Sequence, residues 1–162
     1  MKWRLRRCAS VGRDVRVRGD VQIRGPGEVV VGDRVVLDGA RAPIELHAKP
    51  GAKIVLEADV VVGAGTSIEA CESVVVGEAT RIGEFCKLLD NSFHALHGER
   101  SRAPASERIV VGAHAEIGVH ALLLPGARIG DDAWVRSGSV VSRVVPAGAT
   151  ARGAPATVVR AS

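Results

Sequence analysis

The chain has 162 residues, a formal net charge of +4, and 46% hydrophobic against 2% aromatic residues. One domain fits that length and a second of full size does not. With 26 Val and 19 Gly but no Tyr, two Phe (Phe85, Phe93) and two Trp (Trp3, Trp134), disorder is excluded and a narrow aliphatic interior replaces a wide core filled by rings.

The start, MKWRLRR followed by CASVGRDVRVRGD, offers no apolar h-region, and no apolar run approaches the roughly 18 to 20 residues of a bilayer span. A soluble, cytoplasmic protein with residues 1–10 as a lead-in is expected. From residue 11 a large aliphatic recurs every sixth position: Val11, Val17, Ile23; Val31, Leu37; Ile44; Leu56, Val62, Ile68; Val76, Ile82, Leu88, with short slips between blocks. Later the period runs unbroken through Val111, Ile117, Leu123, Ile129, Val135 and Val141. Four residues after each stand Ala115, Ala121, Ala127, Ala133, Ser139 and Val145. A helix needs apolar spacing of 3.6, and the density of Gly, Pro and Val opposes one.

Three hexads make an 18-residue turn of a triangular parallel β-solenoid, with the large aliphatic inward on each face and the small residue near each corner. The glycine directly after the aliphatic, as at Gly112, Gly118 and Gly130, is expected to supply the backbone angles of a tight corner. At about 4.8 Å per rung, seven or eight turns predict a prism on the order of 35 to 40 Å long.

Cys8, Cys71 and Cys86 are odd in number and widely spaced, so free buried thiols are expected and neither a disulfide framework nor a cysteine metal site. The basic residues are 18 Arg and 4 Lys. Without interleaved aromatics to stack on bases, they do not point to a nucleic-acid partner.

Between Leu88 and Val111 the repeat fails over LDNSFHALHGERSRAPASERIV. A long loop ejected from a regular scaffold, here residues 89–109, is where function concentrates. It contains His94 and His97, either of which could take a proton from a hydroxyl at neutral pH, imidazole having a pKa near 6.5. Arg100 and Arg102 in the same segment are either ligand contacts or solvated charges.

The repeat resembles the hexapeptide-repeat family, whose members form left-handed β-helices, and the likeness covers most of residues 11–160. The segment Asp90-Asn91-Ser92-Phe93-His94 is similar to the one that precedes the extended loop in small sugar O-acetyltransferases of that family. That likeness implies His94 as general base with His97 as competitor, Asp90 fixing the imidazole tautomer, and Asn91, His97, Arg100 and Arg102 toward the acceptor. The closing segment SGSVVSRVVPAGATARGAPATVVR resembles the family's end. It implies acetyl-coenzyme A as donor, held by Gly118, Ser137, Gly138, Ser142, Arg143 and Arg160, with arginines on its phosphates and Gly138 admitting it to the main chain. The resemblance also implies a homotrimer and a small sugar-like acceptor. Two departures stand out: Glu116 replaces an aromatic common before the coil at Ile117-Gly118, and MKWRLRRCAS is too short for the helical segment of maltose-type enzymes.

Two rival readings stay open. His114 and His120, six apart, would stack on one corner or face and, with His94 or His97 of a neighbouring chain, make a three-histidine site resembling gamma-class carbonic anhydrases. A catalytically silent solenoid used for assembly is the other.

Overall fold

Three columns of aliphatic side chains run along the protein, each of them the six-residue repeat seen from one face. The computed structural model describes residues 2–91 and 106–159, with side chains from residue 4 onward. On the first face parallel pairing stacks Val11, Val31, Leu56, Val76, Val111, Ile129 and Val145 in turn. The second face stacks Val17, Leu37, Val62, Ile82, Ile117, Val135 and Ala151. The third stacks Ile23, Leu46, Ile68, Leu88, Leu123 and Val141. Beyond the first rung every member of these columns is at most 3% exposed. Burying one such side chain stabilises by roughly 1.5 to 3 kcal/mol, and each rung contributes one to each column.

The expected fold class, an all-β left-handed parallel β-helix, holds. Among the described residues the only helical element is the 3-10 turn Lys2–Leu5. The first face is a seven-stranded sheet. The second and third faces merge into one sheet because Arg16–Arg24 and Val36–Ala48 run continuously around the corner between them. At the far end the chain leaves the spiral, and Thr150–Gly153 pairs antiparallel with Ala156–Val159.

Three expectations are corrected. The spiral completes about six turns instead of seven or eight, giving a prism about 30 Å long. The reason is rung length: Leu37 to its partner Val62 takes 25 residues and Ile82 to Ile117 takes 35, whereas Ile117 to Val135 takes 18. Second, the third-face column takes Leu46. Ile44 is buried at the preceding corner, opposite Val21.

Third, the glycine after the aliphatic does not make the corner. The left-handed backbone falls two residues later, at Asp14, Arg34, Asp59, Ala79, Phe85, His114, His120 and Asp132, all with φ between 54° and 60°. The glycine answers a different constraint, the closeness of the next rung. A Cβ on Gly118 would lie 2.4 Å from the Ser137 nitrogen, and one on Gly130 would lie 2.4 Å from the Ala147 nitrogen.

Corner hydroxyls also join rungs. Thr80 Oγ1 donates to the Gly112 carbonyl at 2.7 Å and accepts from the Ala115 amide at 3.1 Å. Thr66 Oγ1 donates to the Gly83 carbonyl at 2.9 Å.

Candidate functional site

The excursion has a rigid root at the corner between the third and first faces. The ladder runs through Lys87–Leu89 and resumes at Ile109–Val111. Between them Asn91 and Ser106 form an antiparallel bridge that closes the stem. The Asp90 carbonyl accepts from the Glu107 amide at 2.7 Å, and the Glu107 carbonyl accepts from the Gly126 amide of the next rung at 3.0 Å.

The Asp90 side chain is completely buried. Its Oδ1 accepts from the Cys71 amide at 2.7 Å and from Asn91 Nδ2 at 3.3 Å. Oδ2 accepts from the amides of Glu72 at 2.7 Å and Ser73 at 2.8 Å. A carboxylate offers about four acceptor sites, so these donors use its capacity and make the burial of its charge tolerable. Asp90 therefore clamps the stem to the rung below. Contact with an imidazole would require it to release one of those donors. Cys71, beside it, has its thiol pKa raised, by burial first and by the Asp90 charge second, which makes it a poor nucleophile.

His94, His97, Arg100, Arg102 and Arg160 lie outside the described residues. The other residues expected to meet the donor divide between the two edges of the third face. Gly118, Ser137 and Gly138 sit at the corner between the second and third faces. Gly118 is covered by Ser137, so its lack of a side chain serves the stacking of rungs. Gly138, at φ 72° and with nothing within 4 Å of a Cβ placed there, is open to approach. Ser142 and Arg143 are exposed and follow Val141, at the corner where the excursion is rooted. Donor-side residues and the stem thus border one face from both sides.

His114 and His120 are not stacked. Six residues is one face of the triangle and 18 is one turn, so the two occupy different corners. The His114 amide donates to the Glu78 carbonyl and the His120 amide to that of Glu84. Among the described residues no group of three or more His, Cys, Asp or Glu side chains could hold a metal ion.

Two aromatic features escaped sequence reasoning. The His120 ring stacks on Phe85 with centroids 5.3 Å apart, one rung below Gly138. Trp134 lies directly above Glu116 in the outer column of the second face, with the Arg136 guanidinium 4.1 Å from its ring centroid. Counting three residues on from each inward aliphatic would have found the first pair, and counting 18 from Glu116 the second.

No family model matches the chain. A serine acetyltransferase of Synechococcus elongatus is 31% identical over 119 residues, which is 72% of this chain and 42% of that protein. The chain therefore spans less than half the length of that curated relative. Among solved structures, a point mutant of AntD, an N-acyltransferase from Bacillus cereus, in complex with dTDP-4-amino-4,6-dideoxyglucose and coenzyme A, superposes with a TM-score of 0.82 at 19% identity, over 99% of this chain and 87% of that one. NeuO, a polySia-specific acetyltransferase, superposes with a TM-score of 0.70 at 17% identity, over 93% of this chain and 74% of that one.

Proposed function

Because the chain belongs to the hexapeptide-repeat acyltransferase family, we propose that it transfers an acetyl group from acetyl-coenzyme A directly to a hydroxyl of a sugar or polysaccharide-precursor acceptor. The observation that carries this reading is the pinned stem. Its described ends, Asn91 and Ser106, flank in sequence the segment that contains His94 and stand at one edge of the third face, whose other edge presents the open Gly138.

A thioester is already activated, so the protein's task is to hold it beside the acceptor and to move one proton. His94 takes the hydroxyl proton as the oxygen attacks the acyl carbon. The new C–O bond forms, the C–S bond breaks, and the departing thiolate recovers the proton from the imidazolium. His97, Arg100 and Arg102 face the acceptor in this scheme, while Asn91, expected there too, is buried with its amide on Asp90 and supports the stem instead. The Ser137 and Gly138 main chain and Ser142 flank the pantetheine arm, and Arg143 and Arg160 meet the phosphates. Assembly is a cyclic trimer in which a neighbouring chain walls the cleft.

The test is thiol release from acetyl-coenzyme A across a panel of sugars. His94→Ala is expected to lower kcat by ~10²-fold or more, as loss of a general base does, with the melting temperature unchanged. Turnover within about threefold of the parent would remove His94 from the mechanism. His114→Ala, exposed at the corner between the first and second faces and away from the third, is the matched control and is expected to keep kcat.

A further inference from the structure

The first rung is chemically unlike the rest of the prism. Residues 1–24 hold eight basic and two acidic residues, a formal +6, whereas the other 138 hold fourteen basic and sixteen acidic, a formal −2. The same rung carries an apolar floor, which Arg13 and Asp14 also border. Leu5, Val11, Val15 and Val17 line a cavity of about 900 Å³, and Val11 is 43% exposed where the residues above it in its column are at most 3% exposed. Arg13 and Arg18 are paired with Asp33 and Asp38 of the second rung, each at 3.2 Å. Arg6, Arg7 and Arg16 are exposed and have no ion-pair partner among the described residues.

We propose that this end of the prism docks on an anionic lipid bilayer. Charge and apolarity together select that occupant. A second copy meeting it end to end would set Arg6, Arg7 and Arg16, which have no ion-pair partner among the described residues, against the same three cations. A soluble polyanion would satisfy the arginines and leave the valine floor in water. A bilayer with acidic headgroups offers phosphate to the first-rung arginines and hydrocarbon to the floor. The contact is peripheral: among the described residues no helix is long and apolar enough to cross a membrane. The proposal does not rest on acyl transfer, because its readout is partitioning.

The experiment is sedimentation of the full chain with vesicles of phosphatidylcholine alone or containing about one-third phosphatidylglycerol, near physiological ionic strength and at about 0.5 M salt. Binding is expected only to the anionic vesicles and is expected to weaken with salt. The triple variant Arg6→Gln, Arg7→Gln, Arg16→Gln should lose about 100-fold in partitioning, about fivefold per arginine. Val11→Ser, which leaves the arginines in place, should lose about tenfold. All four side chains are exposed, so melting temperatures should stay within about 2 °C of the parent. Equal binding to both vesicle types, or to neither, overturns the proposal. So does polyphosphate binding that Val11→Ser leaves intact without vesicle binding. A concentration-dependent rise in mass that Val11→Ser abolishes, again without vesicle binding, would assign the floor to a second copy and overturn it equally.

Discussion

Asp90 shows how one buried carboxylate can hold the root of an excursion by accepting backbone N–H groups. Its carboxylate receives three backbone N–H groups from residues 71–73, and Asp90→Ala would strand all three in a buried corner. Each unmatched buried donor costs about 1 to 3 kcal/mol, and relaxation recovers part of it, so a loss of about 3 kcal/mol is expected. The urea midpoint measures this. His94→Ala, by contrast, should leave the midpoint where it is. If Asp90→Ala kept its midpoint and lost turnover, the carboxylate would be acting on the imidazole and not on the stem. The sequence placed Asp90 at the edge of the excursion and gave no sign of its hold on the rung below. Its three amide partners lie 17 to 19 residues earlier, a separation that has meaning only once the turn length of the spiral is known.

At the scale of the rung, two positions that look alike in the sequence obey different physics. Gly118→Ala puts a methyl 2.4 Å from backbone nitrogen, and only a local opening of the ladder relieves it, at about 2 kcal/mol or more. Ala79→Gly acts in the opposite direction. Ala79 holds φ at 56°, a conformation costing roughly 1 to 2 kcal/mol for a residue with a Cβ, while glycine's extra unfolded entropy costs roughly 0.5 to 1 kcal/mol. The net is a gain of about 0.5 kcal/mol, and paired thermal melts should show opposite shifts. Reversed signs would mean that the corner, and not the rung spacing, governs the glycine. These two sites also mark what was legible. The inward aliphatics were plain because burial admits only large apolar side chains there. The corner was not, because Gly65, Gly126, Gly138 and Gly148 share its left-handed backbone with Asp, Arg, Ala, Phe and His on other rungs, so no single residue type marks it. The His114 and His120 pair was misplaced for a different reason: one face was taken for one turn.

At the scale of the whole molecule, a prism with a sealed aliphatic interior can interact only through its ends, corners and outer faces. Phe85 at 39%, Val119 at 38% and Trp134 at 42% are large hydrophobics left in solvent on the second face and its corner with the third. The proposed cleft borders that corner, so a neighbouring chain packed there would bury these side chains and wall the site at once. Light scattering at micromolar concentration should then give about three times the 16.9 kDa of one chain. Phe85→Glu with Trp134→Glu should shift the mass toward one chain and abolish acyl transfer with His94 intact, while the exposed positions leave each prism folded by circular dichroism. A parent chain that is monomeric yet turns over would place the entire cleft within one prism. A trimer unaffected by the double substitution would move the interface to another face of the prism.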